Sequence, residues 1–593
     1  MTQEPIVVPI CLKHTNKARC TSPWFVQNTE YHPVKATFQP LVNGEEAFRA
    51  VHEAIAQARK TVDISCWGFQ PSMYFIRDGN APCIGELLRR KAREGVRVRI
   101  LGWEFPFNSA GAGGEANLPG KGNLRIKDKA LQSSTEEQYA YDRQWFADCS
   151  VRDQKAPAMA DAGIPLFVSR GFTAAERNRI FRDVDQNALD RELSLETKSV
   201  MAATVTHHQK TVLVDYEEPQ VAVGFVMGHN MLDEYWDTDR HSARNRTAQS
   251  KPAPDRGPRG ETPRQDISSR LTGPILEHLH HNFAHSWFME TGEELLGLRS
   301  AQELARKLEC DEGTQQLAQL LRTQAQAGVR DIERMYMQAV NNATQFIYLE
   351  NQYFRWPPLA EKIKDIAAKQ TAWGRDPGKH GALHLFVLTN ADTAGIGPGI
   401  LNTQRMVESL GRADTMPEVT RLRRIKKAID DAPPPSDPRD RVGKIRLDRQ
   451  IEEIEQETIR PEAIPGLKVH ICSLVAPDTT AWQDWVPVYI HSKLMIVNDV
   501  FTTLGSANIN TRSMQVDTEM NVAHEWMSVT RDLRRRLWSL HTSGRGAQDD
   551  PAEAFKNWQD VIAENKDRQV NKLGPSAPIV EFYFGDAVIK DQD

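Results

Sequence analysis

Two short stretches hold residues that could act together on a phosphodiester. The first reads His207-His208-Gln209-Lys210-Thr211-Val212-Leu213-Val214-Asp215, and the second His491-Ser492-Lys493-Leu494-Met495-Ile496-Val497-Asn498-Asp499. Each is His, one residue, Lys, then a mostly apolar run that ends in Asp215 or Asn498. Each is followed by a small-residue turn ending in Asn: Gly228-His229-Asn230 and Gly505-Ser506-Ala507-Asn508. A strand puts residues i and i+2 on one face, so His208 points with Lys210 and His491 with Lys493. One pocket built from both copies would hold two imidazoles, two ammoniums and two carboxamides. Lys210, Lys493, Asn230 and Asn508 would offset the charge on the phosphate oxygens. Neutral imidazole is a nucleophile near neutral pH and imidazolium an acid. On a regular strand Asp215 and Asn498 sit at odd offsets from their histidines. They then face away from the pocket, in a supporting role.

The elements that must position these residues recur. Phe48, Val51, Ile55 and Ala58 have helical spacing and lead into Thr61-Val62-Asp63-Ile64-Ser65, which reads as a strand. A helix near 84–93 then leads to a strand at 96–101. The same order returns at 339–350 and 383–388, with offsets of 285 and 287, against 283 for the His-x-Lys elements. A nearly constant offset is the mark of a duplication. The expected fold is therefore α/β: two pseudo-symmetric lobes, each a mixed sheet flanked by helices, sharing one active site. The expected bounds are an N-terminal arm at 1–40, lobes at 41–290 and 300–545, and a C-terminal tail at 546–593.

Composition sets the class. The chain has 593 residues, 40% apolar and 26% charged, which suits a folded protein of more than one core. No run approaches the ~18 apolar residues of a membrane span, and no cleaved leader is visible at Met1–Ile10. Seven scattered cysteines read as buried thiols. Cys11, His14 and Cys20 lie close together but lack a further ligand for zinc. A net charge of -5 gives no overall attraction to nucleic acid. The Gly-rich stretch 104–125 lacks the Gly-Lys-Ser/Thr ending of a phosphate-cradling loop. That stretch, 241–265 and 405–460 read as insertions that either control access or decorate the surface.

The paired His-x-Lys-x4-Asp/Asn elements, with Tyr348–Phe354, Gly505–Met514, Asp517-Thr518-Glu519 and Asp266 before Gly273-Pro274, resemble the signature of the phospholipase D superfamily. The resemblance covers roughly 41–545. It implies that His208 attacks phosphorus to form a phosphohistidine and that His491 protonates the departing alcohol, without metal or other cofactor. It implies carboxylates that orient the histidines, Asp266 for His208 and Glu519 for His491, with Asp517 as the alternative for the second. It implies a phospholipid membrane surface as partner. The chain is also similar to type VI secretion effectors of this class, which implies a bacterial toxin made in the cytoplasm, acting in a target cell's periplasm, and restrained by a cognate inhibitor. Asn498 departs from the family's Asp, and the second half of the site is expected to stay active.

Competing readings remain on the residues themselves. A nuclease or a phosphatidyltransferase of the same superfamily is the main alternative, and a non-catalytic lipid-binding duplicate the next. His278, His280, His281 and His285 form a denser cluster, but no His-Glu-x-x-His motif is completed there. The basic runs 421–427 and 531–536 read as solvated helix faces or lipid contacts. Trp67, Trp145, Trp236 and Trp356 read as core or as the mouth of the site.

Overall fold

The computed structural model describes residues 22–104, 117–121, 134–151, 156–311, 313, 315–392, 399–432, 441–480 and 484–590. Cys11, His14, Cys20, most of the Gly-rich stretch and Pro433-Pro434-Pro435 lie outside the described residues.

The apolar runs that follow each helical pattern form central strands, because both of their faces are covered. In the first lobe the strands are β1 (Val34–Val42), β2 (Thr61–Cys66), β3 (Arg97–Trp103), β4 (Leu166–Arg170), β5 (Thr211–Val214), β6 (Val223–Met227), β7 (Arg264–Gln265) and β8 (Ile267–Thr272). Its main sheet runs β4-β3-β2-β5-β6-β8-β1, parallel through β2 and antiparallel beyond it. The second lobe has β9 (Gln316–Gln324), β10 (Val329–Arg330), β11 (Phe346–Asn351), β12 (Phe354–Arg355), β13 (Leu383–Leu388), β14 (Leu467–Val475), β15 (Pro487–Ile490), β16 (Lys493–Val497), β17 (Phe501–Gly505), β18 (Ile509–Asn510), β19 (Glu519–His524) and β20 (Ile579–Glu581). Its sheet, β14-β13-β11-β16-β17-β19-β9, repeats the first lobe strand for strand, with the same senses. Antiparallel pairing of β1 with β9 joins the two. From the C-terminal segment, β20 adds to β14.

Helices α1 (Asn43–Gln57) and α2 (Ile84–Arg93) cover the first sheet. Phe48, Val51, Ile55 and Leu88 pack there on Val62, Ile64, Val98 and Ile100. Helices α4 (Asp331–Asn341) and α5 (Pro357–Ala372) cover the second, burying Met335, Val340, Leu359 and Ile363 on Ile347, Leu349, Leu385 and Val387. Another core runs between the lobes, from Leu213, Val226 and Leu271 to Leu320, Leu494 and Ile496. The helix α3 (Leu276–Thr291) carries the histidine cluster, of which two are buried packing groups, His280 stacked on Tyr216 at 3.8 Å and His278 on Tyr31 at 4.9 Å. Helices α6 (Met527–Thr542) and α7 (Pro551–Val570) place Trp538 and Trp558 against the inter-lobe core.

The last residue of each His-x-Lys element supports the backbone. Asp215 has φ +53° and Asn498 φ +56°, a left-handed conformation that Asp and Asn tolerate. Asp215 Oδ1 accepts the backbone amides of Arg59, Lys60 and Thr61 at 3.0, 2.7 and 3.1 Å. Asn498 Oδ1 accepts those of Thr344, Gln345 and Phe346 at 3.2, 2.9 and 3.2 Å. The job at both places is to gather three amides where the chain enters β2 or β11. A carboxamide oxygen does that as a carboxylate does. Asp215→Ala orphans those amides and is expected to cost about 2–3 kcal/mol, while Asn498→Asp is expected to stay within about 1 kcal/mol of wild type; urea unfolding of both variants checks this.

Candidate active site

The residue before each histidine or carboxylate is paired with the other lobe. Residues 206–208 run parallel to 517–519, with the Thr518 amide donating to Thr206 O at 3.0 Å and the His208 amide to Thr518 O at 2.9 Å. By the same pattern, 489–491 run beside 263–265, with the Tyr489 amide on Pro263 O at 2.7 Å and the His491 amide on Gln265 O at 2.8 Å. Each histidine is thereby set next to the carboxylate that follows its backbone partner. His208 Nδ1 lies 2.8 Å from Glu519 Oε1, and His491 Nδ1 lies 2.7 Å from Asp266 Oδ2. This corrects the sequence pairing, which joined His208 to Asp266 and His491 to Glu519. Both carboxylates were found, but their histidines are exchanged between lobes. Asp517 bonds neither ring; it accepts the Thr206 amide at 2.8 Å and pairs with Arg512.

Engaging each Nδ1 with a carboxylate fixes a tautomer that leaves Nε2 for chemistry. Burial, then the cations Lys210 and Lys493, hold the proton affinity of His208 well below that of ordinary histidine. Burial, Lys493 and Lys210 do the same at His491, against the pull of Asp266. Both lysines thus act on both rings, in one electrostatic neighbourhood. The carboxylates differ. Burial raises Asp266, but His229, His491 and Lys493 outweigh it and hold the acid well below the usual range. Burial pushes Glu519 up to about 7, against Lys210, Ser506, Ser513 and Lys493.

Lys210 Nζ donates to His208 O at 2.8 Å, and Lys493 Nζ to His491 O and to Gln352 Oε1 at 3.1 Å. These short tethers hold two ammoniums, each only 1% exposed, beside the rings. Asn230 and Asn508 are buried, and the Oδ1 of each has no protein partner among the described residues. Buried amides left this way mark a place for polar ligands. The glycine that opens each turn is needed for close approach. A Cβ on Gly228 would stand 2.3 Å from Asp266 Oδ1, and one on Gly505 2.2 Å from Met520 O.

Sequence reasoning gave Ser506 and Ser513 no role, yet both hydroxyls donate to Glu519. It also passed over His229 as a contributor to the site; this ring bonds Ser268 Oγ at 2.7 Å. Gln352, which holds Lys493, and Ser506 both lie in stretches already singled out, so their signal was position beside a motif. Among the tryptophans, Trp145 and Trp356 are core, while Trp67 meets the His208 ring edge-on at 6.3 Å. Tyr235 meets His491 likewise at 4.8 Å. The basic runs are paired: Arg423 with Glu408, Arg424 with Glu457, and Arg534 with Asp499 and Asp549.

A raised Glu519 means that the folded chain keeps a proton which the unfolded chain releases near pH 4.5. Its contribution is full below that pH and is lost as pH climbs toward about 7. Unfolding of wild type and Glu519→Gln, followed from about pH 5 to about pH 7.5, is expected to show wild type losing stability relative to the variant as pH rises.

Known proteins match this chain over much of its length. The family model described as Phospholipase D matches residues 54–139, 178–357 and 422–542, well over half the chain. Phospholipase D alpha 1 of Oryza sativa subsp. japonica is 26% identical over 82% of this chain and 61% of its own length. Phospholipase D alpha 4 of Arabidopsis thaliana is 25% identical over 94% of this chain and 71% of its own. The chain therefore spans about three-fifths of the length of the rice relative. Among solved structures, phosphatidylserine synthase of Haemophilus influenzae Rd KW20 matches 92% of this chain and 97% of its own, at 13% identity and a TM-score of 0.39, too distant to carry functional weight. Because the family model matches through both lobes and over well more than half of its length, this chain belongs to the phospholipase D family.

Proposed function

We propose that the chain is a phospholipase D that hydrolyses the head-group phosphodiester of glycerophospholipids, such as phosphatidylethanolamine, to phosphatidic acid and the free alcohol. The observation that supports this best is the pair of histidine–carboxylate couples exchanged between lobes around shared lysines.

The asymmetry of the couples assigns their roles. Asp266 stays ionised beside His491 and pulls its proton affinity up against burial and the two lysines, which suits that ring to the acid's part. His208, whose proton affinity burial and the two lysines lower, has the more exposed side chain, 14% against 2%, which suits the nucleophile. His208 Nε2 forms the bond to phosphorus while the bond from phosphorus to the head-group oxygen breaks. His491 enters this step as the imidazolium, with Nδ1–H on Asp266, and passes its Nε2 proton to that oxygen. Water then gives its proton to His491 and attacks phosphorus from the same side; the P–N bond breaks and phosphatidic acid leaves. Lys210, Lys493, Asn230 and Asn508 stabilise the charge on the phosphoryl oxygens in both steps. The Oδ1 of Asp215 and of Asn498 is taken up by backbone amides, so the second half is expected to work with Asn498 in place.

Phosphatidylethanolamine vesicles with ethanol and EDTA are expected to yield phosphatidic acid and phosphatidylethanol. His208→Ala or His491→Ala should lower the rate by at least about 1,000-fold. Cleavage of DNA offered separately, with no lipid turnover, would replace this reading by the nuclease one. Export as a bacterial toxin, with an inhibitor protein protecting the producer, extends the same proposal. Directing the protein to the periplasm of a test bacterium is expected to stop growth in a His208-dependent way, and cytoplasmic expression to be harmless; harmlessness in both compartments counts against the toxin role.

A further inference from the structure

A buried carboxylate lies behind the site and takes no part in the proposed chemistry. Glu350 ends the apolar part of β11 and is 0% exposed. Its Oε1 accepts from Ser492 Oγ at 2.5 Å and from Gln265 Nε2 at 2.9 Å. Its Oε2 accepts from Tyr348 Oη at 2.5 Å and from His541 Nε2, on α6, at 3.0 Å. Four donors fill the acceptor directions of one carboxylate. Burial works to raise this acid, but His541, Ser492 and Tyr348 outweigh it and hold it below its usual value.

Two of the four donors flank the His491–Asp266 couple. Ser492 stands between His491 and Lys493, and Gln265 directly precedes Asp266. Ser492 belongs to the second lobe and Gln265 to the first. The backbone carbonyl of Gln265 also accepts the His491 amide at 2.8 Å. His241 Nε2, 2.8 Å from Gln265 Oε1, fixes which end of that side chain donates to Glu350. One anion therefore grips the neighbour of the ring and the neighbour of its acid, and ties both to α6.

Among the described residues the first lobe shows no equivalent. The residue of β2 that pairs opposite Thr211, as Glu350 pairs opposite Leu494, is Ser65. Between His208 and Lys210 stands Gln209, which accepts from Asn282 Nδ2 at 3.0 Å. Glu519 is held directly, by Ser506 and Ser513. The couple whose acid has its own hydroxyl clamps does without the remote anion, and the couple whose acid lacks them has it.

We infer that Glu350 is a positioning residue for the His491–Asp266 couple, acting through Ser492 and Gln265 and not by touching substrate. The kinetic part of this inference rests on the proposed phospholipase D reaction, and the structural part does not. A misplacement of about 1 Å in a reacting group costs on the order of 100-fold in rate, so the grip has a kinetic consequence.

The test uses the full chain with nitrogen-labelled histidine, Glu350→Gln, and Ser492→Ala, which removes a single spoke. Imidazole NMR, assigned with His208→Ala and His491→Ala, reads each Nδ1–H on its carboxylate. Glu350→Gln is expected to shift or abolish the His491 signal and leave that of His208 in place. On phosphatidylethanolamine vesicles its kcat should fall about 100-fold while KM stays within about twofold. Ser492→Ala should move both readouts in the same direction by less, and it decides alone if Glu350→Gln does not fold. An unchanged His491 signal, or equal disturbance of both histidines, overturns the inference. If wild type turns over no lipid, the catalytic reading fails while the NMR comparison still decides the role of Glu350.

Discussion

The structure depends on two parallel backbone pairings that cross between lobes. Residues 206–208 lie along 517–519 and 489–491 along 263–265, and each pairing delivers a histidine to a carboxylate that its own lobe does not supply. Neither lobe can complete an imidazole–carboxylate couple alone. The apolar core from Leu213 and Leu271 to Leu494 and Ile496, together with the pairing of β1 and β9, keeps the lobes in the register that these couples need. Short ring-to-carboxylate distances demand that register, since charge-assisted hydrogen bonds weaken steeply with misalignment.

Within this frame the halves are alike in backbone and unlike in charge. Asp266 remains an anion under the influence of His229, His491 and Lys493, whereas burial brings Glu519 to about 7. A symmetric pocket would give two histidines of equal character, and a displacement needs one donor and one acceptor of a proton. Unequal surroundings on an equal scaffold meet that need. The buried polar groups behind the strands follow the same division, with Glu350 on one side and Gln209–Asn282 on the other.

Much of this was legible in the sequence, for reasons that differ by residue. The strand at 383–388 and the helix at 84–93 fall where period and apolar run placed them, because both lie in central layers where burial dominates. His208 and Lys210 precede β5 and His491 precedes β16, so the strand period does not reach them, yet both lysines act on both rings. The partnership of each histidine with the far carboxylate is not local. Asp266 and Glu519 could be picked out as acids, but which ring each serves depends on how two lobes dock, and chain order suggested the opposite. Ser506 and Ser513 escaped for the same reason, since a hydroxyl gains its role only from the carboxylate that packs on it. The supporting role of Asp215 and Asn498 followed from parity along the strand; the amide-gathering turn itself did not, because it needs the positive φ at each.

That turn bears on how relatives of this chain are recognised. Its requirement is an acceptor oxygen on a short side chain that tolerates a left-handed backbone, and that oxygen is taken up by backbone amides. A pattern that insists on aspartate at the seventh place after histidine would score the C-terminal half as degenerate. The half-site is instead complete by the standard of what the oxygen does. A degraded copy is better diagnosed by loss of the imidazole, the ammonium or the borrowed acid than by the letter that closes the motif.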